Sequence, residues 1–215
     1  MTGVQTCALP ISRLSASRQE IEQLQQNLET VRHESLTDPL TTLANRKFFD
    51  AELRKSITQA KAGGQPLTLL LSDIDHFKAF NDKFGHLIGD QVLRLVAMAV
   101  KQHVTQQDIA ARYGGEEFAI ALPKTALRSA LSVADHIRRA VMHKELMKRS
   151  SGERLGRVTV SIGVALLRPT DTPQSLIERA DQCLYAAKRN GRNCVICESD
   201  AAAHEGASIV PARVA

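Results

Sequence analysis

The residues whose side chains are best suited to catalysis or metal binding are two adjacent glutamates, Glu116 and Glu117, which directly follow two adjacent glycines. The segments 108–113 and 118–122 on either side have the composition of short strands. Two glycines between two strands predict a tight hairpin with both carboxylates at its tip. Carboxylates this close repel each other and require a cation or a shared proton; a divalent metal ion is the simplest cation for oxygen ligands. From this segment alone, a plain hairpin with two solvated glutamates is an equally good interpretation.

A second acidic pair follows the continuous apolar run from Leu67 to Leu71, which predicts a buried central strand. A carboxylate at the end of a buried strand, such as Asp73, is a recurrent site position in α/β folds. If the strand continues through both residues, we expect Asp73 and Asp75 to point to opposite sides, so that only one of them faces the hairpin. Asp75 is also suited to capping the helix that follows.

Periodicity and helix start and stop signals predict the elements that must position these residues. Asn45 is expected to cap the first helix of the globular part, and Pro173 opens the last one. The predicted helices are 46–61, 77–84, 90–104, about 20 residues from Thr125, and 173–189. The later predicted strands are 158–165 and 194–198, and residues 144–157 are expected to form a mobile polar connection.

The segment Gly114-Gly115-Glu116-Glu117-Phe118 resembles the signature of the GGDEF family, the diguanylate cyclases. Three further segments resemble motifs of this family in the same order. They are 38–46, where Thr42 stands in place of the usual glycine, 81–90, and 188–193. The resemblance covers about residues 36–198. It implies an α/β (α+β) fold, a palm-like split βαβ domain with a central, mainly antiparallel sheet, in which the end of the first strand lies beside the hairpin tip.

The resemblance also implies residue roles. Asp73, the backbone carbonyl of Ile74 and Glu116 would hold two Mg²⁺ or Mn²⁺ ions per protomer. Glu116 and Glu117 would be the catalytic residues, with Glu116 as the candidate proton acceptor. The implied substrate-binding residues are Phe77, Lys78, Asn81, His86, Asp90, Lys188 and Arg192.

Within that substrate set, Asn81 and Asp90 would read the guanine edge, because an amide offers a donor and an acceptor and a carboxylate accepts from two N–H groups. The cationic side chains, with the amides of Phe77 and Lys78, would hold the β- and γ-phosphates. Lys188 and Arg192 lie four residues apart, a spacing that can aim two cations at one phosphate group. Ordinary cations of a helix C-terminus are the alternative interpretation of these two residues.

A domain of this kind would condense two GTP molecules into cyclic di-GMP and two pyrophosphates, by metal-assisted attack of each 3′-OH on an α-phosphate at a homodimer interface. Three alternatives stand beside it. A catalytically silent GTP-binding regulatory domain would not need the intact acids. A nucleotidyl cyclase with a monocyclic product fits less well with one guanine site per protomer, and a purely structural coiled-coil protein would not need the acidic cluster.

Many members of this family carry an Arg-x-x-Asp pair upstream of the hairpin, which binds the dimeric product and halts the enzyme. The family spacing places the aspartate at Asp108, whereas Thr105 stands where the arginine would be. The product-inhibition site is therefore expected to be incomplete. Arg138 or Arg139 on the following predicted helix could supply a secondary contact.

The N-terminal part has a different pattern. Residues 12–36 place Leu14, Ile21, Leu24, Leu28 and Val31 at heptad spacing, which predicts a coiled-coil helix that pairs two protomers. A helix lying on its own domain is the alternative. Residues 1–11 resemble the translation of a common short-read sequencing adapter, which would mean that an upstream sensor domain is missing; a disordered N-terminus is the alternative. Residues 199–215 are expected to be a disordered tail.

The composition favours a nucleotide-binding protein over a nucleic-acid-binding or membrane-spanning one. The net charge of +5 and the pI of about 9.2 suit a nucleotide ligand, whereas nucleic acid binding is not expected because the charge is scattered and Trp is absent. No apolar run approaches the roughly 20 residues of a membrane-spanning helix, and no signal peptide is visible. We therefore expect this domain to be cytoplasmic, in either a soluble or a membrane-anchored full-length protein. The lone pair Cys194 and Cys197 favours reduced thiols over a zinc site.

Overall fold

The computed structural model describes residues 36–147 and 154–199, together with four isolated residues at 18, 20, 21 and 23. Those four are helical and exposed. The remaining positions of the predicted coiled coil up to residue 35, the adapter-like segment 1–11 and the tail from residue 200 onward lie outside the described residues. The chain divides into two compact units, 1–37 and 38–215, and the second contains every element discussed below.

A six-stranded mixed sheet forms the centre of the second unit, in the order β1-β3-β4-β2-β7-β8. The three inner pairings, β3–β4, β4–β2 and β2–β7, are antiparallel, and the two edge strands pair in parallel. The strands are β1 (Ala44–Asn45), β2 (Leu67–Ile74), β3 (Ile109–Arg112), β4 (Glu117–Pro123), β7 (Val160–Leu166) and β8 (Val195–Cys197). The central, mainly antiparallel sheet predicted from the sequence is confirmed.

Five helices of the described residues connect and cover these strands. They are α1 (Arg46–Gly63), α2 (Phe77–Phe84), α3 (His86–His103), α4 (Leu127–Met142) and α5 (Pro173–Arg189). The predicted caps of the first and last helices are observed: the Asn45 side chain accepts from Phe48 N at 3.0 Å, and Pro173 is the first residue of α5 after its N-cap Thr172. None of these helices combines the length and the hydropathy that a bilayer crossing requires.

Helices cover both faces of the sheet, and this explains why the first part of β2 is apolar except for the buried Thr68. Leu67, Leu69 and Leu71 pack on one face with residues of α1 and α5. Leu70 and Ile74 pack on the other face with residues of α3 and α4. Because successive side chains of a strand point to opposite faces, a strand buried on both sides reads as a continuous apolar run.

Two predictions about elements are wrong. The long helix begins at His86 rather than at residue 90, so His86 and Asp90 lie in its first turns and not in a connecting turn. Residues 144–157 are not only a connection, since they contain a small hairpin of β5 (Glu145–Met147) and β6 (Arg154–Arg157). Basic and polar residues masked the alternation of these two short strands, whose single buried apolar residue is Leu146.

The entry segment contains a strained residue, Thr42, whose φ is 55°. A β-branched side chain is disfavoured in this left-handed region, which costs about 1–3 kcal/mol at a non-glycine residue. The turn is held by Asp38, whose backbone carbonyl accepts from Thr42 N at 2.8 Å and whose carboxylate accepts from Thr41 N at 2.8 Å. The observed φ explains why glycine would suit this position.

We expect Thr42→Gly to stabilise the fold by about 1 kcal/mol, because glycine removes the strain at a positive φ and this gain exceeds its larger unfolded-state entropy. Urea unfolding followed by circular dichroism measures the change. Thr58→Gly is the matched control, because Thr58 lies on the exposed face of α1 and the same change there should destabilise by roughly 0.3 kcal/mol. Destabilisation by both substitutions would contradict the strain argument.

Candidate active site

The register of the central strands places acidic residues side by side. Asp73 on β2 pairs directly with Glu117 on β4 and, on its other side, with Ser161 on β7. Asp73 is two residues beyond Leu71 and therefore lies on the same face of the strand, which is covered by α5. Lys188 near the end of α5 donates from Nζ to Asp73 Oδ2 at 2.9 Å, and Asp73 is only 6% exposed.

The hairpin tip approaches this strand end closely. Ile74 N donates to the carbonyl of Glu116 at 3.4 Å, and Tyr113 N donates to the carbonyl of Glu117 at 2.8 Å. A side chain on Gly114 would collide with the Glu117 carboxylate, so the first glycine of the hairpin is required for the position of that side chain. The predicted hairpin and its close backbone approach are therefore observed.

The Arg112 side chain stabilises the hairpin tip through hydrogen bonds that the sequence did not predict. Its guanidinium donates to the carbonyl of Gly115 from Nη2 at 2.7 Å and from Nε at 3.2 Å, and its Nη1 lies 3.2 Å from Asp38 Oδ2. The carbonyl of the residue before Glu116 is thus tied through one side chain to the entry segment. The sequence pattern places Arg112 at the end of a strand and does not predict that it connects the hairpin tip with the entry segment.

The electrostatics of the site follow from this crowding. Burial is the main cause that raises the pKa of Asp73, and the neighbouring Asp75 adds to it, while Lys188 acts in the opposite direction. Burial is also the main cause that raises the pKa of Glu116, and the negative charge of Asp73 is the second. Lys188 lowers this pKa, and Glu117 raises it further. The negative charges at the strand end and the hairpin tip therefore disfavour one another, which is the situation that a cation relieves.

Hard oxygen atoms make up the donor set, and this fits a divalent ion such as Mg²⁺ or Mn²⁺. Within the described residues no three His, Cys, Asp or Glu side chains already converge as a preformed metal cluster. The candidate ligands are instead two side chains, those of Asp73 and Glu116, together with the carbonyl of Ile74 at the strand end. Magnesium sites with few protein carboxylates are completed by water and by phosphate oxygens of the substrate.

The helical pair α2–α3 presents a second polar group. Asn81 of α2 has a buried Oδ1 with no hydrogen-bond partner among the described residues. The same atom lies against Gly89, where a side chain would collide with it, and Asp90 is the next residue of α3. Since buried polar atoms are nearly always satisfied in folded proteins, an orphaned amide oxygen indicates a place for a hydrogen-bonding ligand.

In the chain, the beginning of α2 lies between the end of β2 and Asn81. Its N-cap residue, His76, has a φ of 58° and makes no side-chain capping bond. The amides of Phe77 and Lys78 are at the helix N-terminus, where N–H groups have no intrahelical acceptor and attract anions. The Lys78 and His86 side chains are exposed, and no hydrogen bond or ion pair in the described part of the chain joins either one to Asp73 or Glu116.

The C-terminal cations lie on different elements. Lys188 belongs to α5, whereas Arg192 follows the helix in a turn and is exposed, with a φ of 65°. Asp73 experiences the positive charge of both residues. The structure therefore brings both cations to the strand end, but through a turn rather than through successive helical turns.

The prediction that Asp75 caps α2 is wrong. The strand ends at Ile74 and the N-cap position belongs to His76. The Asp75 carboxylate accepts from Thr159 Oγ1 and Ser161 Oγ, each at 2.7 Å, and from Asn193 N at 3.0 Å. The expectation that Asp73 and Asp75 point to opposite sides of the strand is also wrong, because side chains two residues apart in a strand lie on the same face. Asp75 differs from Asp73 because it lies beyond the strand and turns toward β7.

The residues of the product-inhibition motif pair with each other. Asp108 Oδ2 accepts from Thr105 N at 2.7 Å and from Thr105 Oγ1 at 2.9 Å. The threonine thus closes a local turn at the start of β3. Among the described residues, Cys183, Cys194 and Cys197 form no disulfide with one another.

Comparisons with known proteins identify the group of proteins that share these features. The family model "Diguanylate cyclase, GGDEF domain" matches residues 35–194. The response regulator PleD of Caulobacter vibrioides is 44% identical over 174 residues, which are 80% of this chain and 38% of that protein. The diguanylate cyclase VdcA of Vibrio cholerae is 40% identical over 185 residues, which are 86% of this chain and 53% of that protein. The chain thus spans about half or less of the length of these curated relatives.

Solved structures agree with this match. The coiled coil and GGDEF domain of DgcB from Caulobacter crescentus, in complex with c-di-GMP, is similar with a TM-score of 0.84 and 45% identity, over 86% of this chain and 97% of that one. The active GGEEF domain of a diguanylate cyclase from Vibrio cholerae has a TM-score of 0.67 and 35% identity, over 72% of this chain and 97% of that one. From its sequence match and its fold, the chain belongs to the GGDEF-domain family of diguanylate cyclases.

Proposed function

We propose that this protein is an active diguanylate cyclase, which condenses two GTP molecules into cyclic di-GMP and two pyrophosphates. The observation that carries the proposal is the acidic group at the end of β2, where Asp73 is paired with Glu117 and lies in the field of Glu116, with Lys188 bound to it. A domain kept only for regulation would have no need to maintain this mutual repulsion. The intact acids therefore favour catalysis over silent GTP binding.

Asp73, the carbonyl of Ile74 and Glu116 would hold the divalent ions that diguanylate cyclases of this family generally use; we propose two per protomer. A bound divalent ion supplies neutralisation of the charge on the α-phosphate and lowers the pKa of the attacking hydroxyl. Glu116 would accept the 3′-OH proton as the new bond to the α-phosphorus forms and the bond to pyrophosphate breaks. Glu117 would add negative charge beside it.

The triphosphate would lie along the beginning of α2. The amides of Phe77 and Lys78 would donate to the β- and γ-phosphates, and Lys78, Lys188 and Arg192 would supply the positive charge. Asn81 and Asp90 would bind the guanine edge, which would satisfy the orphaned Asn81 Oδ1. His86, exposed in the first turn of α3, would contact the substrate nearby.

One guanine-reading pair in each chain means that two chains must meet for two GTP molecules to react. We propose a homodimer, with residues 12–36 pairing the protomers as a coiled coil. The structurally similar protein from Caulobacter crescentus is described as a coiled coil and GGDEF domain, which supports this arrangement. An input domain preceding these residues would be consistent with the greater length of the curated relatives.

Incubation with GTP and Mg²⁺, followed by separation of the nucleotides, should yield cyclic di-GMP and pyrophosphate. Glu116→Gln should lower turnover about a thousandfold, because the amide keeps the shape but loses the charge and the ability to accept a proton. Glu178→Gln on the exposed face of α5 is the matched control and should leave turnover unchanged. GTP binding without product by the unmodified protein would support the silent regulatory domain instead.

The double variant Asn81→Ala and Asp90→Ala should lose most of the preference for GTP over ATP. A site built to hydrogen-bond guanine discriminates strongly because adenine leaves its buried polar groups unpaired. Competition between the two nucleotides, scored by product formation and by binding, measures the ratio. Asp82→Ala, an exposed neighbour on α2, is the control. If the double variant discriminates as well as the parent does, guanine is bound by other residues.

Inhibition by cyclic di-GMP through Asp108 should be weak, because its carboxylate is occupied by Thr105 and no arginine stands at that position. Thr105→Arg should strengthen inhibition by about tenfold, since a guanidinium offers a planar fork to a phosphate or a guanine edge. Progress curves with added product measure this, with Thr105→Lys as a control that adds charge without the fork. Strong inhibition of the unmodified protein at low micromolar product would contradict the expectation.

A further inference from the structure

The turn that follows α5 has an unusual backbone. Gly191, Arg192 and Asn193 have φ values of 95°, 65° and 46°, so three successive residues are left-handed and two of them carry side chains. Each non-glycine residue in this region costs about 1–3 kcal/mol and persists only where its surroundings determine it. A fully solvated surface turn has no reason to keep two such residues in succession.

Contacts from three elements hold the turn. Arg192 N donates to the carbonyl of Ala187 at 3.1 Å, which ties the turn to the last part of α5. Asn193 N donates to Asp75 Oδ2 at 3.0 Å, across 118 positions in the sequence. Arg138 on α4 donates from Nη1 to Asn193 Oδ1 at 3.0 Å and to its carbonyl at 3.3 Å. Asn193 is thus held by hydrogen bonds at its backbone amide, its carbonyl oxygen and its side-chain oxygen.

Asp75 connects this turn to the acidic site. It follows Ile74 directly, and its own amide donates to the carbonyl of Thr159 at 2.9 Å. Both of its carboxylate oxygens are engaged, Oδ1 by Ser161 and Oδ2 by Thr159 and Asn193. The residue is 7% exposed. Buried charge is costly unless it is well hydrogen-bonded, so this carboxylate is fully used as an acceptor of neutral donors and is not available as a direct ligand.

We propose that Asp75 is a positioning residue for triphosphate binding: by holding the amide of Asn193, it fixes the left-handed turn that aims Arg192 at the phosphates. The same residue adjoins Ile74, so one side chain sets the spacing between the strand end and the cation. This inference rests on the proposed GTP site. It assigns to the second aspartate of the strand end a role distinct from that of Asp73, which is bound to Lys188.

Equilibrium binding separates this role from a general effect on folding. The probes are GTP with an α,β-methylene bridge, which cannot react, and GMP, which lacks the β- and γ-phosphates, both with Mg²⁺. Asp75→Ala should weaken binding of the triphosphate about tenfold and leave GMP binding within about twofold, because only the outer phosphates lose a cation. Asp75→Asn should retain most of the affinity, since its Oδ1 can accept from Asn193 and its amide can donate to Ser161. A direct metal-ligand role predicts the reverse, with asparagine nearly as damaging as alanine.

A double-variant cycle tests whether Asp75 acts through Arg192. Arg192→Ala should produce a similar selective loss, and the variant with both changes should be no worse than Arg192→Ala alone. Losses that multiply would overturn the proposal. Asp171→Asn is the matched control, because Asp171 is equally buried but lies beyond the opposite end of β7, and it should not change the ratio of the two affinities.

Asp75→Ala leaves three donors without an acceptor and could prevent folding. Arg138→Met then provides a second test, since it removes the other support of Asn193 from a partly exposed position and leaves Asp75 in place. It should weaken triphosphate binding selectively by about threefold, the loss expected for part of one charge-assisted contact. Unchanged triphosphate affinity in a folded Asp75→Ala protein, or in Arg138→Met where Asp75→Ala does not fold, would overturn the inference. A parent protein that binds neither probe would instead contradict the proposed function itself.

Discussion

Mutual repulsion of carboxylates at the end of the central strand is the constraint on which the site depends. Asp73 and Glu117 are direct cross-strand partners, and like charges in that position destabilise a sheet. The same register pairs Leu70 with Ile120 and Leu71 with Ala119, all of them buried. A slip by one residue would move every one of these side chains to the wrong face. The apolar core therefore holds the acids together against their charge, and the positive charges of Lys188 and Arg192 reduce the repulsion at Asp73.

Most of the residues with a strained backbone lie near the candidate active site. Among the described non-glycine residues, five have a positive φ. Three of them, His76, Arg192 and Asn193, flank the strand end, and Thr42 belongs to the entry segment that Asp38 holds together. Strain of this kind is stable only where the surrounding contacts determine it. The hydrogen bonds of Asp75 and Arg138 to Asn193 are contacts of that kind, which is why we attribute a role to them rather than to the turn alone.

The sequence predicted the fold and the acidic group well, because these depend on local patterns. A mainly apolar run defines the first part of β2, two glycines define the hairpin, and Asn45 and Pro173 define helix starts. What it missed are contacts between distant segments, such as Arg112 with Asp38 and Asp75 with Asn193. Hydrophobic periodicity carries no information about which polar groups meet across 74 or 118 positions. The short strands β5 and β6 were missed because their polar composition resembles that of a loop.

Exposure of the reactive groups is consistent with a site that is complete only when two chains meet. Glu116 is half-buried, and Glu117, Lys78, His86 and Arg192 are exposed. Leu87, between His86 and the rest of α3, is 83% exposed, which is unusual for a large apolar side chain beside a polar site. An enclosed single-chain active site would shield such groups from water to strengthen their electrostatic effect. If a second protomer supplies that cover, water is excluded only when both substrates are present, and the chemistry is confined to the assembled dimer.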